Sequence, residues 1–238
     1  MENTQHIASA FDRDLESIQA LIMRMGGLVE ESIHSSVLAL DTQDIELANA
    51  VRAGDKAIDT LEEKVNEEAA RIIALRAPTA GDLRTVLSVF RVSANLERIG
   101  DYSKNIAKRS SVVFQSQPVD GASSSLKRMA RTVEFMLKDA LDAYIKRDAE
   151  LAQEVRERDA EVDQIYSALF REYLTFMMED PRNITACMHL HFMAKNIERM
   201  GDHVTSIAEQ VIYLVTGEMP DEEREKSDST PYAQGREG

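Results

Sequence analysis

Apolar residues step through the chain by threes and fours over six long stretches, the spacing of one face of an amphipathic helix. In the first stretch they run from Phe11 through Ile18, Ile22 and Val29 to Leu40. The stripes predict six helices, over residues 7–40, 45–76, 82–114, 126–146, 149–178 and 183–215. Because each stripe needs partners to cover it, we expect an all-α protein of two antiparallel three-helix bundles, placed end to end.

Polar and proline residues mark where the predicted helices begin and end. Asp44 is placed to cap the second helix, and Asp82 the third. Pro78 ends the second helix, since the residue before a proline avoids the helical region. These signals divide the chain into a first repeat at 7–114, a linker at 115–125, a second repeat at 126–216 and an acidic, disordered tail at 217–238.

A seven-residue motif occurs twice. Residues 95–101 read Asn-Leu-Glu-Arg-Ile-Gly-Asp, and residues 196–202 read Asn-Ile-Glu-Arg-Met-Gly-Asp, with five of the seven positions identical. A second pattern, rich in aspartate, runs from Asp44 to Asp59 and again from Asp148 to Asp163. Repetition at this distance is the signature of an internal duplication, which makes each half of the chain one copy of the same three-helix unit.

The repeated motif brings two carboxylates onto one helix face. Glu97 and Asp101 are four residues apart, as are Glu198 and Asp202, so each pair lies on one side of its helix. Like charges at this spacing repel one another, and holding the arrangement twice favours a cation beside each pair. We therefore predict that these four residues are metal ligands.

Further ligands must come from a neighbouring helix, because two carboxylates alone bind a metal weakly. The repeated aspartates of the second and fifth helices form a second rank of candidates: Asp55, Asp59, Asp159 and Asp163. Gly100 and Gly201 interrupt the motif helices, which suggests a close approach of a neighbouring helix or an ion. The alternative is a solvated charged face in which Arg98 and Arg199 are the local partners of the acids.

Composition and charge exclude several classes. The net charge of −14 argues against binding to duplex nucleic acid, which needs a basic surface. Cys187 is the only cysteine, so no disulfide forms within the chain, as expected in a reducing cytosol. The sequence shows neither a leader peptide nor an apolar run long enough for a membrane span. These features predict a cytoplasmic protein.

Other candidate chemistry is weaker. His191 lies two turns before Glu198, too far to share an ion with it, and is interpreted as a core residue. His34 completes a Glu-x-x-His pattern with Glu31, but a di-iron bundle needs two such patterns. Neither a glycine-rich phosphate loop nor a nucleophile elbow is present. One enzymatic alternative remains, an all-α metal-dependent nucleotide pyrophosphohydrolase, for which residues 62–68 supply acids.

With two three-helix repeats, each ending in Asn-x-Glu-Arg-x-Gly-Asp, the sequence resembles the PhoU family over about residues 11–214. The resemblance implies a non-enzymatic negative regulator of phosphate uptake and phosphate-starvation signalling, coupling a phosphate ABC transporter to a membrane histidine kinase. It also implies a homodimer and divalent or trivalent metal ions at Glu97, Asp101, Glu198 and Asp202, iron or zinc in the first place, with manganese and magnesium left open. A helical scaffold without metal is the remaining alternative.

Overall fold

Six long helices make up the described part of the chain. The computed structural model describes residues 2–116, 119 and 121–220. Its helices are α1 (Glu2–Thr42), α2 (Ile45–Arg76), α3 (Ala80–Val113), α4 (Ala122–Lys146), α5 (Ala149–Glu179) and α6 (Ile184–Thr216), with a short 3-10 helix at Pro181–Asn183. The described residues contain no strand, so the predicted all-α class is confirmed. The predicted tail lies outside the described residues from position 221 onward.

Local capping signals account for most helix ends. Asp44 caps α2 by accepting hydrogen bonds of 2.9 Å from two first-turn backbone N–H groups, as predicted. Asp148 makes the equivalent cap of α5. The prediction that Asp82 caps α3 is wrong, because α3 begins at Ala80 and Asp82 lies within its first turn. A carboxylate there still stabilises the positive end of the helix dipole.

The fourth helix begins four residues earlier than the stripe indicated. Its first turn includes the serines at 123–125, which the sequence analysis assigned to the linker. The hydroxyl of Ser123 donates to the carboxylate of Asp41 at 3.2 Å, and the ammonium of Lys127 lies 2.7 Å from the same carboxylate. These contacts join the start of α4 to the end of α1. They stabilise the polar residues 123–125 in a helical conformation.

The two bundles pack side by side, and the predicted end-to-end placement is wrong. Helix α3 runs antiparallel along α6 over its whole length. Near one end the Arg84 guanidinium donates to the carbonyl of Tyr213, and near the other Arg109 lies 4.5 Å from the ring centre of Phe192. Helix α1 packs along α4 in the same way. The stripes of these four helices are wide enough to face two neighbours, so both repeats share one core.

The six helices are arranged as a central group of four with one further helix on each side. Helices α1, α4, α6 and α3 form a central square, with α2 against α1 and α3 on one flank and α5 against α4 and α6 on the other. The α1–α4 and α3–α6 pairs therefore form opposite sides. None of the helices in the described part of the chain combines the length and apolarity of a membrane crossing.

Candidate functional site

The two motif copies face each other across the α3–α6 pair. Oδ1 of Asn95 and Nδ1 of His203 are 2.7 Å apart, which fixes the register of the antiparallel helices. In that register Arg98 of α3 faces position 200 of α6, so Arg199 is one residue away from the position directly opposite Arg98. Burial lowers the pKa of His203; the negative charge of Asp202 raises it in part, and the positive charges of both arginines lower it. The imidazole is therefore neutral at pH 7 and acts as a polar bridge between the repeats.

The motif glycines allow neighbouring helices to approach closely. A Cβ atom at Gly100 would lie 2.9 Å from Cδ1 of Ile58 in α2, a distance that real Cβ atoms essentially never show. A Cβ atom at Gly201 would lie 3.1 Å from Oδ1 of Asp159 in α5. The predicted close approach of a neighbouring helix is confirmed, because α2 and α5 each lie directly against a motif copy.

The close approach assembles a carboxylate cluster in the first repeat. Asp55 is buried against α3, and Glu97 and Asp101 lie at the edge of the core. The ammonium of Lys104 contacts the carboxylate of Asp55 and lies 3.5 Å from Oδ1 of Asp101. Burial raises the pKa of Asp59, and the negative charge of Asp55 raises it further. The four predicted acids of this repeat therefore act on one another.

Glu97 is the most strongly perturbed member of this cluster. Burial, the charge of Asp101 and a hydrogen bond to Asp101 raise the pKa of Glu97 to about 7. A hydrogen bond between two carboxyl groups requires a proton on one of them, so the pair holds a proton near neutral pH. A cation with carboxylate preference would take the place of that proton.

The second repeat builds the same cluster with a different counter-ion. Glu198 is well shielded, with 14% of its side chain exposed, and its Oε1 lies 2.7 Å from Nζ of Lys195. Its other oxygen, Oε2, meets no donor among the described residues. Burial raises the pKa of Glu198, Lys195 lowers it, and the charges of Asp202 and Asp163 raise it. Asp159 is buried beside the motif glycine.

The lysines are the members of the two clusters that sequence reasoning missed. Lys104 has Thr205 as its counterpart in the second repeat, and Lys195 has Ala94 as its counterpart in the first. Each repeat thus places one ammonium among its acids, from a different position. Both lysines are three residues from a motif acid, a spacing that predicts an ion pair on a helix. The comparison of the two repeats identified only positions with the same residue in both, and neither lysine has a lysine as its counterpart.

The donor chemistry of the clusters suits a hard cation, but the described residues hold no preformed metal cage. Among residues 2–116, 119 and 121–220, no group of three or more His, Cys, Asp or Glu side chains converges in a geometry that could hold an ion. Carboxylate oxygens are nevertheless the ligands that such cations prefer. Oε2 of Glu198 meets no donor among the described residues, and burial and the charge of Asp101 raise the pKa of Glu97, so the protein's own cations only partly compensate these carboxylates.

His191 and His34 lie away from the carboxylates of the two clusters. His191 is half-buried, with its ring 5.7 Å from that of Tyr166 and 5.3 Å from that of Phe170, which agrees with its interpretation as a packed residue. His34 lies on the α1–α4 side, where its Nδ1 is 3.6 Å from Oε1 of Glu134. These contacts give neither histidine a role beside the motif.

The fold and the site define a class of protein: a duplicated all-α chain with one carboxylate cluster in each three-helix repeat. The PhoU domain family model matches residues 22–110 and again residues 126–211. A phosphate-specific transport system accessory protein PhoU homolog of Rhizobium meliloti is 48% identical, with 94% of this chain and 95% of that protein covered. The Caulobacter vibrioides protein of the same name is 44% identical, with 94% and 98% covered.

Solved structures show the same architecture. The crystal structure of PhoU from Pseudomonas aeruginosa matches with a TM-score of 0.84 and 38% identity, covering 87% of this chain and 100% of that chain. The phosphate transport system regulatory protein PhoU from Streptococcus pneumoniae matches with a TM-score of 0.82 and 31% identity, covering 89% and 99%. The chain belongs to the PhoU family.

Proposed function

We propose that this protein is a cytoplasmic negative regulator of phosphate uptake and of phosphate-starvation signalling. It acts as a metal-binding adaptor between a phosphate ABC transporter and a membrane histidine kinase, and it is not an enzyme. The observation that carries the proposal is the near full-length similarity to proteins named as phosphate transport accessory and regulatory proteins. The duplicated carboxylate clusters support the metal-binding part.

Metal ions are proposed to bind once in each repeat. Glu97 and Asp101 would hold the ion of the first repeat, and Glu198 and Asp202 that of the second, with Asp55, Asp59, Asp159 and Asp163 as further ligands. Iron or zinc is the first expectation, with manganese and magnesium as alternatives. Bound metal would supply positive charge where the protein now places a lysine and a proton. Since carboxylates must ionise to bind, affinity in the first repeat falls as pH drops below about 7.

The proposed partners are the cytoplasmic domains of the transporter and of the kinase, and the protein is proposed to form a homodimer. With a net charge of −14 it docks on basic surfaces, with association rates that fall as salt rises. Nucleic acid is not a proposed partner.

The direct test is a pulldown of the tagged protein from bacterial membranes, with and without a chelator. Recovery of the transporter and the kinase, reduced by chelator and restored by added metal, supports the adaptor. If neither the transporter nor the kinase is recovered, with or without chelator, the adaptor proposal is contradicted. An assay of pyrophosphate release with nucleotide and magnesium distinguishes the enzymatic alternative, for which we expect no activity.

A further inference from the structure

A groove lies open between α1 and α2 in the first repeat, and we call it the α1–α2 groove. Its volume is about 210 Å³. That volume is below the roughly 300 Å³ at which pockets for drug-sized ligands begin, so the groove suits a single side chain. Its walls are largely apolar and are formed by Leu28, Leu47, Val51 and Ile58.

The groove is open because two residues differ between the repeats. At an offset of 104 residues, Gly54 of α2 corresponds to Arg158 of α5, and Ser35 of α1 corresponds to Asp139 of α4. In the second repeat Nη1 of Arg158 donates to Oδ2 of Asp139 at 2.6 Å, so an arginine side chain joins the two helices. In the first repeat a Cβ atom at Gly54 would meet nothing within 4 Å. The space that an arginine fills in one repeat is therefore empty in the other.

The backbones of the two repeats correspond closely beside the groove. The same offset of 104 relates Gln43 to Arg147, and both have a positive φ, of 55° and 52°, in the turn that joins the two helices. It also relates Asp44 to Asp148, which cap the following helix in the same way. The repeats therefore differ at the groove in their side chains and share the local backbone.

The first repeat retains an acceptor for a guanidinium at the edge of the groove. Glu31 lines the groove one helical turn before Ser35, and its Oε1 accepts a hydrogen bond of 2.9 Å from the hydroxyl of Ser35. The counterpart of Glu31 in the second repeat is Phe135. The acid thus lies one turn away from the position of Asp139, and its partner is a neutral hydroxyl where Asp139 has an arginine.

The charges beyond Glu31 also favour a cation. On its other side Glu31 borders a depression between α1 and α4, which Glu30, His34, Glu134 and Lys138 line with it. His34 is engaged there, with its Nδ1 3.6 Å from Oε1 of Glu134. Among the described residues that line this depression, three acids face one ammonium, so the surroundings of Glu31 attract a positively charged side chain.

We propose that the α1–α2 groove is the docking site of an arginine side chain of another protein. The aliphatic part of the arginine packs against the apolar walls, and its guanidinium pairs with Glu31. Arginine suits the groove better than lysine, because a guanidinium is weakly hydrated and binds a carboxylate through two parallel N–H donors. The inference names one contact of the proposed adaptor and in that respect rests on the proposed function.

The lining favours a side chain over the free amino acid. None of the described lining residues is a cation, so nothing in the groove would meet the carboxylate of free arginine. An arginine within a polypeptide has no such carboxylate to bury, which leaves only the side chain to be recognised.

The test follows the groove by NMR, with the purified full-length protein. The probe is arginine blocked at both ends by acetyl and methylamide groups, and the second probe is lysine blocked in the same way. Gly54→Arg places an arginine of the chain itself in the groove. Its matched control is Ala53→Arg, at an exposed position of the same helix outside the lining. Glu31→Gln removes the acceptor, with the exposed Glu67→Gln as its control.

We expect the blocked arginine to shift the methyl signals of Leu28 and Val51 in a saturable way in the wild type and in both controls. A single side chain binds weakly, with a dissociation constant on the order of 1 mM. Glu31→Gln and Gly54→Arg should each weaken binding at least about tenfold, since they remove or occupy the partner of the guanidinium. The blocked lysine should also bind the wild type more weakly than the blocked arginine.

Two results overturn the proposal directly. One is the absence of saturable shifts at the groove in the wild type, and the other is equal binding of the blocked arginine by the wild type and Glu31→Gln. Circular dichroism and thermal unfolding verify that the variants fold. If Gly54→Arg does not fold, the comparison of Glu31→Gln with Glu67→Gln decides the matter alone.

Two further measurements separate other sources of the arginine. If free arginine binds more tightly than the blocked form, the groove is a site for the amino acid and the proposal fails. If Gly54→Arg alone changes from dimer to monomer in sedimentation, the arginine comes from a second copy of the chain and the proposal also fails. Repression of phosphate-starvation genes by the wild type is measured separately, so failure of the proposed function and failure of the arginine site are distinguishable.

Discussion

Replacing Glu97 with glutamine tests whether the first carboxylate cluster destabilises the metal-free protein. The pKa of Glu97 is about 7 in the folded chain, against its ordinary value of 4.5. Below pH 4.5 the group is protonated in both the folded and the unfolded state, so its contribution is constant. Between pH 4.5 and 7 the unfolded chain ionises first, so stability falls as pH rises. Above pH 7 the carboxyl group is ionised in both states, so the loss of folding stability has reached its full size.

The size of the effect follows from the same values. The difference in pKa corresponds to about 3 kcal/mol, and solvent reaching the partly buried carboxyl group reduces this to about 2 kcal/mol. Glu97→Gln removes the charge and keeps the size of the side chain. In chelator at pH 8 it should raise the free energy of unfolding by about 2 kcal/mol, or the melting temperature by roughly 4–8 °C. At pH 4.5 the gain should be small.

The assay is urea and thermal unfolding of both proteins at several pH values, in chelator. Glu67→Gln, an exposed acid on α2, is the matched control and should change stability little at any pH. The reasoning is refuted if Glu97→Gln gives the same change in stability at pH 4.5 and pH 8, or if it destabilises the metal-free protein at pH 8. With metal added, the variant should bind more weakly than the wild type.

Three further predictions concern the site and the fold. Lys104→Gln should tighten metal binding in the first repeat, measured by titration calorimetry, because its ammonium occupies the carboxylates; unchanged affinity would show that it does not compete. Gly201→Ala should be roughly 1–2 kcal/mol less stable in urea than Gly54→Ala, because the first meets Asp159 and the second meets open space; equal stabilities would contradict the close packing. Asp44→Ala should cost about 1 kcal/mol in the same assay by removing the α2 cap, and no loss would contradict that role.

The parts of the fold that depend on local chemistry could be predicted from the sequence. The second helix was predicted with the bounds Ile45–Arg76 that the structure shows, because Asp44 and Pro78 act within one turn of its ends. The shared helix face of Glu97 and Asp101 was predicted from their spacing of four residues. In both cases the deciding contacts lie within one helix.

Contacts between helices could not be predicted in the same way. Side-by-side packing of α3 on α6 depends on which faces pair and in what register, and pairs such as Asn95 and His203 are 108 residues apart. The lysines beside the clusters were missed for a different reason. Lys104 and Lys195 occupy unlike positions in the two repeats, so a comparison of identical residues passes over them.

The central claim is that the duplicated acids serve a signal and not the fold. It is tested by a reporter for phosphate-starvation genes, in a strain lacking its own copy of this protein and complemented with variants at equal protein level. Wild type and Glu67→Gln should repress the reporter in phosphate-rich medium. The quadruple variant Glu97→Gln, Asp101→Asn, Glu198→Gln, Asp202→Asn should keep its helical spectrum and lose repression. Full repression by the quadruple variant would contradict the account.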